Sequence, residues 1–370
     1  MKMTRIIERI KKELADPQSV RRMVQWGFAL LTIWIGIKFI LFVHQAGGSG
    51  EITITRPPGV EAFLPISALI SLKFWLLTGI FNTIHPASLV LLLVIMATAL
   101  LLKKGFCGWV CPFGLLSEYL AAIHTWIFGR PRRLPRWLDY PLRSLKYLLL
   151  GFFAYAIFWE MGVRELGAFI NTPYNKVADV KMYLFFANAS AFTLKVLAAL
   201  VLLSVLVRYF WCRYLCPYGA LLGIFGWLSP LKVRRNAESC IDCGKCTRVC
   251  PASIKVDKAV SVRSDECNAC LRCVDTCPVR DTLSFSVTPK RGRLPRRFYP
   301  VVLLLLFVLG IGAGHLFDRW HSSITPAEYR HHIRNIESPE YNHFRGRTPP
   351  PAVRQTGPDS GPASQPADNK

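Results

Sequence analysis

Eight cysteines fall in two runs of one spacing, Cys240-x2-Cys243-x2-Cys246-x3-Cys250-Pro251 and Cys267-x2-Cys270-x2-Cys273-x3-Cys277-Pro278. Three thiolates this close in sequence can hold three corners of a 4Fe–4S cube, and a fourth set before proline crosses over to the other cube. The spacing predicts one cluster on Cys240, Cys243, Cys246 and Cys277, and a second on Cys267, Cys270, Cys273 and Cys250. Structural zinc is the competing chemistry, because Cys-x2-Cys is also zinc spacing. Zinc draws its ligands from two separated pairs, whereas here a continuous run of four ends in Cys-Pro and repeats at once. Iron and sulfide are the better fit on that ligand logic.

The other four of the twelve cysteines form a second repeat, Cys107-Gly-Trp-Val-Cys111-Pro112-Phe113-Gly114 and Cys212-Arg-Tyr-Leu-Cys216-Pro217-Tyr218-Gly219. A spacing of four puts both sulfurs of a pair on one side of a helical turn. Brought together, Cys107, Cys111, Cys212 and Cys216 could supply four thiolates to a third metal or cluster site. Two other readings stand beside it: thiols packed as small hydrophobes, and a redox-active thiol pair. No cysteine is left over for a disulfide framework, which points to thiols on a reducing, cytoplasmic side.

The elements that must position these motifs are apolar. Of 370 residues, 52% are hydrophobic, and they gather in blocks at 24–43, 87–102, 145–161 and 192–207, with a fifth at 299–317. A bilayer crossing takes about 20 such residues. The expected fold is mostly α: a polytopic membrane protein of about five spans and one re-entrant segment, carrying a small α+β dicluster ferredoxin domain. The expected partition is a basic amino terminus at 1–22, a membrane domain at 23–230, the ferredoxin domain at 231–297, a last span at 298–317 and a tail at 318–370. From about 348 the tail is Pro/Gly/Ser/Asp-rich and predicted to be disordered, since it cannot bury enough apolar surface. Residues 62–84 read as re-entrant, because Pro65, Lys73 and Gly79 interrupt them and a crossing there would move the basic stretch 130–146 to the other face.

Lys and Arg outnumber Asp and Glu by 46 to 23, a net charge of +23. The basic residues flank the apolar blocks, the pattern of the positive-inside rule and of contact with anionic lipid. No groove-reading or base-stacking motif accompanies them, so nucleic acid is not an expected partner. The rule places the ferredoxin segment and both Cys-x3-Cys pairs on the cytoplasmic face of a bacterial inner membrane, with the tail outside. The first block is too long for a signal-peptide core and reads as a retained anchor. Lys245, Arg248, Lys255, Arg263, Arg272 and Arg280 around the cluster motifs suggest an acidic redox partner or lipid headgroups.

Cluster sites gathered at one face do not bridge a hydrocarbon core about 30 Å thick, and no Cys-x2-Cys-His haem motif fills the gap. A membrane quinone could, with Lys73, Trp75 and His85 as candidate contacts, ionisable groups inside membrane segments being functional by default. Against that, Lys73 could snorkel to the interface and His85 could cap a helix. His321, His331, His332 and His343 of the tail are candidate copper ligands, although they lack a tight ligand spacing. A redox sensor without turnover is a third class. Gly310-Ile-Gly312-Ala-Gly314 sits within the last block and suits helix packing.

Two Cys-x3-Cys-Pro motifs at membrane-helix ends, followed by a dicluster segment, resemble the NapH-, NosR- and CcoG-type membrane polyferredoxins over about residues 20–300, in the order of all twelve cysteines. Arg56-Pro57-Pro58-Gly59-Val60 with Leu64-Pro65-Ile66 is similar to the external loop of that group. The resemblance implies quinol oxidation for periplasmic reductases, support of nitrous oxide reductase, or copper reduction during oxidase assembly. NosR-type proteins carry a large external flavin-binding domain before the first spans, for which the first 22 residues leave no room. CcoG-type proteins carry an immunoglobulin-like domain after the last span, which the short tail is not expected to form. NapH-type proteins are nearest in plan. The implied function is a membrane-bound iron–sulfur electron carrier, as a quinol dehydrogenase component, linking the quinone pool or a cytoplasmic donor to a respiratory or periplasmic partner. The alternative is a copper reductase or assembly factor for a respiratory metalloenzyme.

Overall fold

The structure, a computed structural model, describes residues 16–129, 134–288 and 292–341. Most of the basic amino terminus, part of the basic stretch 130–146, His343 and the tail expected to be disordered lie outside the described residues.

Among the described residues three helices are long and apolar enough to cross a membrane: Pro17–Gly47, Trp137–Glu160 and Arg296–Leu316. The first starts where Asp16 accepts hydrogen bonds from the amides of Gln18 and Ser19, with Pro17 in its first turn, a strong start signal. A fourth span exists only if Ala178–Ala187 and Ala191–Leu206, bent by 85°, count as one. The block expected to span at 192–207 is the second of these two pieces. Asn188 ends the first piece and Ser190 caps the second through the amide of Thr193. The second piece alone, at 16 residues, is about 24 Å long at 1.5 Å per residue.

The block expected to span at 87–102 is wrapped by other helices. Pro86–Leu102 has 17 residues, of which 12 are buried by neighbouring helices. Tyr299–Leu316 lies against it, and a side chain at Gly310 would overlap Val94, so the glycine permits the close approach. Pro65–Thr78, in the segment read as re-entrant, has 14 residues and stops at Gly79, where φ is +72°. At about 21 Å it is too short to cross.

The bundle has two distinct ends. At one, strand β1 (Lys232–Arg235) pairs antiparallel with β2 (Leu283–Ser286), Val233 opposite Phe285. The two cysteine runs lie between these strands in sequence, each carrying a four-residue helix, Lys245–Arg248 and Arg272–Asp275. Phe285 meets Tyr299 at 5.5 Å and Tyr299 meets Trp109 at 4.8 Å between ring centroids. These residues belong to one core that runs from the sheet into the helices. At the opposite end the helix Pro326–Arg334 forms a cap. Its Tyr329 packs edge-on against Phe42 at 5.3 Å, and Arg334 donates to the Gly48 carbonyl at 2.8 Å.

Candidate electron-transfer site

The fold sorts the eight ferredoxin cysteines into two cavities. Cys240, Cys243, Cys246 and Cys277 line one. Cys250, Cys267, Cys270 and Cys273 line the other. Each run thus contributes its last cysteine to the cavity of its neighbour. The backbone repeats the pattern. Asp242 and Ala269, each just before the second cysteine of its run, have φ of 50° and 48°. Gly244 and Leu271, just after it, have φ of 65° and 58°. Left-handed residues other than glycine are uncommon and cost free energy, and they gather at functional sites. Successive amides in such a turn form a concave nest suited to an anion, as at iron–sulfur centres.

Among the described residues no three His, Cys, Asp or Glu side chains stand close enough to share a single metal ion. A tetrahedral zinc site with Zn–S bonds of 2.3 Å would need sulfurs about 3.8 Å apart. The donor sets present, four soft thiols around each cavity, instead fit a group of larger span with iron–sulfur character.

The remaining four cysteines also converge. Cys107, Cys111, Cys212 and Cys216 line one large cavity of about 1020 Å³. The local sequence explains the geometry. Cys111 and Cys216 are the cap residues of Pro112–Phe128 and Pro217–Leu228, each with proline in the first turn. The Gly219 amide donates to the Cys216 sulfur at 3.2 Å. At the matching position of the first repeat, a side chain on Gly114 would overlap the Cys107 carbonyl. Both repeats therefore start a helix at the second cysteine, and in the second repeat its sulfur caps that helix. Burial pushes the Cys107 thiol up to about 12 and the Cys212 thiol up to about 11.

This cavity shares Pro251, Ala252 and Asn268 with the cavity of Cys250, Cys267, Cys270 and Cys273. The junction is tightly built. A side chain on Gly108 would overlap the Asn268 carbonyl oxygen, and Trp109 Nε1 donates to the Ala269 carbonyl at 2.9 Å. Arg21, fully buried, donates to the Gly108 carbonyl at 3.0 Å and to Glu118 at 2.7 Å. Glu118 also pairs with Arg272 of the ferredoxin segment. Nearby, Lys146 Nζ meets Glu266 at 2.5 Å and Asp265 at 3.7 Å.

Away from the cysteines the cavity follows the first helix from Phe28 to Lys38, about 15 Å at helical rise. Its far wall includes Arg56, Trp320 and His321. Leu31 and Trp34 line it and are 46% and 53% exposed, so it reaches the lateral apolar surface of the bundle.

Lys73, Trp75 and His85 are not part of its wall. Lys73 Nζ donates to the carbonyls of Ile157 and Phe158, at 3.1 and 3.2 Å, and to that of Met161. It satisfies the carbonyls left open where the helix Arg136–Tyr155 and its π-helical turn end. Trp75 packs edge-on against Phe81 at 6.0 Å. His85 is fully buried, and its Nε2 donates to the Asn175 carbonyl at 2.6 Å.

Near His85 lies an arrangement that sequence reading missed. Arg56 reaches Glu61 at 2.7 Å and Asp179 at 2.6 Å, all three buried, and the second Glu61 oxygen accepts from the Ser88 amide at 2.9 Å. Burial opposes the Glu61 charge, but Arg56 and then His85 outweigh it and hold its pKa below the ordinary carboxylate value. Only the charged residues Arg56 and Glu61, close together in sequence, gave any sign of this network.

Among the described residues the tail histidines form no group of three that could hold a metal ion. His332 Nδ1 bonds the Tyr341 hydroxyl at 2.7 Å, while His321 packs on His315 at 5.5 Å. Lys245, Arg248, Lys255, Arg263 and Arg280 are exposed, whereas Arg272 is taken up by Glu118.

Comparison with known proteins finds 4Fe–4S families over the segments that carry these cysteines. A family described as "4Fe-4S binding domain" matches residues 84–133 and 190–236, the two Cys-x3-Cys-Pro repeats. A "4Fe-4S dicluster domain" matches 232–278. YccM of Escherichia coli strain K12, a proposed electron transport protein, is 43% identical over 316 residues, 84% of this chain and 88% of its own. The ferredoxin-type protein NapH of Haemophilus influenzae is 28% identical over 198 residues, 50% of this chain and 63% of its own. The regulatory protein NosR of Pseudomonas aeruginosa is 29% identical over 198 residues, 49% of this chain but 26% of its own. No solved structure matches. The chain belongs to the NapH/NosR-type family of membrane ferredoxins, proteins built on 4Fe–4S binding domains.

Proposed function

We propose that this protein carries electrons between the membrane quinone pool and a redox partner protein, with quinone bound in the cavity lined by Cys107, Cys111, Cys212 and Cys216. Cys240, Cys243, Cys246 and Cys277 would hold one 4Fe–4S cluster, and Cys250, Cys267, Cys270 and Cys273 the other. The four Cys-x3-Cys cysteines would hold a third thiolate-bound group. When bound, such clusters supply one-electron redox chemistry at potentials set by their surroundings.

The cavity is the observation that carries the quinone reading. It is largely apolar, it reaches the lateral surface at Leu31 and Trp34, and its cysteine end shares walls with the nearer ferredoxin cavity. A lipid-soluble ring could enter from the side and come to rest beside thiolate-bound iron without leaving the apolar phase. The chain's own residues orient it: Phe106 and Tyr218, with rings 6.2 Å apart, flank the cysteine end. Lys73, Trp75 and His85 are set aside as contacts on this reading, since none of them lines the cavity.

Residues 231–297 would form the electron-carrying module, on the cytoplasmic face of a bacterial inner membrane. The basic residues flanking the apolar blocks support that sidedness. The exposed lysines and arginines of the module support an acidic partner, because complementary charge accelerates encounter.

The test is anaerobic, on the full-length protein in detergent. Cluster absorbance should bleach on adding a reduced quinol. Ile95→Trp, which fills the cavity wall, should slow this bleaching while reduction by dithionite and iron content stay normal. Wild-type clusters that respond to dithionite and never to quinol would overturn the quinone reading and leave the cluster assignment standing.

A further inference from the structure

Three lysines are buried where the helices meet the ferredoxin segment: Lys103, Lys104 and Lys146. Two have partners. Lys103 Nζ donates to the Ser264 carbonyl at 2.7 Å, and Lys146 is held by Glu266 at 2.5 Å. Lys104 is 5% exposed. Its ammonium makes no hydrogen bond, ion pair or ring contact among the described residues. It lines the same cavity as Cys107, Cys111, Cys212 and Cys216.

Burial opposes the Lys104 charge, but Glu266, then Cys107, Asp265 and Cys216 outweigh it and hold its pKa above the ordinary lysine value. A fixed cation therefore stands at the wall of the cavity that the four cysteines line. Glu266 is shared with Lys146. Four thiolates around an iron–sulfide core leave the bound group with a net negative charge that this cation would stabilise in a site of low dielectric.

We propose that Lys104 is the counter-cation of a thiolate-bound group held by Cys107, Cys111, Cys212 and Cys216, and that it sets that group's reduction potential. The proposal rests on the reading of these four cysteines as a third cluster site. Reduction adds one electron to the group and makes or breaks no bond. The added negative charge falls beside a fixed positive one, so Lys104 favours the reduced form. Lys104 lines neither of the cavities of the other two cysteine sets, so those sets should depend on it less.

The experiment is a redox titration of the full-length protein in detergent, poised with dithionite and mediators and followed by electron paramagnetic resonance, with iron and sulfide counted. Lys104→Met should lower the midpoint of one cluster signal by at least tenfold in its reduction equilibrium, about 59 mV for one electron. The other signals should stay in place, and Lys104→Arg, which keeps the charge, should restore the shifted one. If Lys104→Met fails to assemble the third group while Lys104→Arg assembles it, the charge requirement is equally supported. Three clusters in both proteins with unmoved midpoints would overturn the role of Lys104 and leave the third site intact. Loss of the group in both variants would assign Lys104 to packing and overturn the proposal. Iron for only two clusters in the wild-type protein would remove the third site itself. A weakened quinol response with unmoved midpoints would make Lys104 a quinone contact instead, which also overturns it.

Discussion

Gly108→Ala tests the junction between the Cys-x3-Cys cavity and the ferredoxin segment. The alanine methyl would overlap the Asn268 carbonyl oxygen, a backbone atom that no rotamer change can move. One of the two segments must shift, and relieving such overpacking costs about 1–3 kcal/mol. The shift also strains three hydrogen bonds: from Arg21 and Gln25 to the Gly108 carbonyl, at 3.0 and 3.1 Å, and from Trp109 to the Ala269 carbonyl, at 2.9 Å. Each is worth about 1 kcal/mol. About 2 kcal/mol of overpacking with the loss of one of these bonds comes to about 3 kcal/mol, which makes local opening of the junction more than a hundredfold easier. Amide hydrogen exchange read by mass spectrometry reports this directly. Peptides covering 105–110 and 267–271 should exchange faster, while the distant helix Pro326–Arg334 serves as the internal control. Quinol-driven bleaching should slow with them. Unchanged exchange in both peptides, at normal iron content, would refute the claim that this contact joins the two parts.

Lys73→Met should lower the unfolding midpoint, because three carbonyls lose a charged donor and such bonds are worth about 1.5–3 kcal/mol each; quinol reduction per folded molecule should not change, and a selective loss of reduction would return Lys73 to the quinone site. Cys250→Ser and Cys267→Ser should each remove about four irons, and the double variant no more than either alone, because both cysteines line one cavity and a 4Fe–4S cluster is lost as a unit; a double variant lacking twice the iron would break the crossed assignment. Glu61 has its pKa depressed by Arg56 and His85 against the effect of burial. Its stabilisation is therefore complete above the unfolded value of about 4.3 and lost as pH falls through the lower folded value. Limited proteolysis of the Pro326–Arg334 cap should accelerate in that acid range. Glu61→Gln should flatten the acid dependence and cost about 3 kcal/mol at pH 7 by leaving a buried charge network short of one partner.

Local chemistry was legible in the sequence because it is set by covalent spacing. Cys-x2-Cys-x2-Cys-x3-Cys-Pro limits where four thiols can point, whatever surrounds them, and Cys-Pro-x-Gly starts a helix at its cysteine. The long apolar helix at Pro17–Gly47 was equally legible, since its composition and its start signals agree. Hydropathy could not say which apolar block faces lipid and which is wrapped in protein, for both are made of the same residues. Pro86–Leu102 has the composition of a lipid-facing helix, yet most of its residues are buried against other helices. The partners of polar side chains were hidden for the same reason. Lys73 and His85 stand out in sequence as ionisable groups in apolar stretches, yet Lys73 closes a helix end and His85 is committed to the Asn175 carbonyl. Lys104 is unremarkable in sequence beside Lys103. Only the packing shows one lysine bonded to Ser264 and the other left facing four cysteines, because contacts between residues over a hundred positions apart are decided by the fold as a whole.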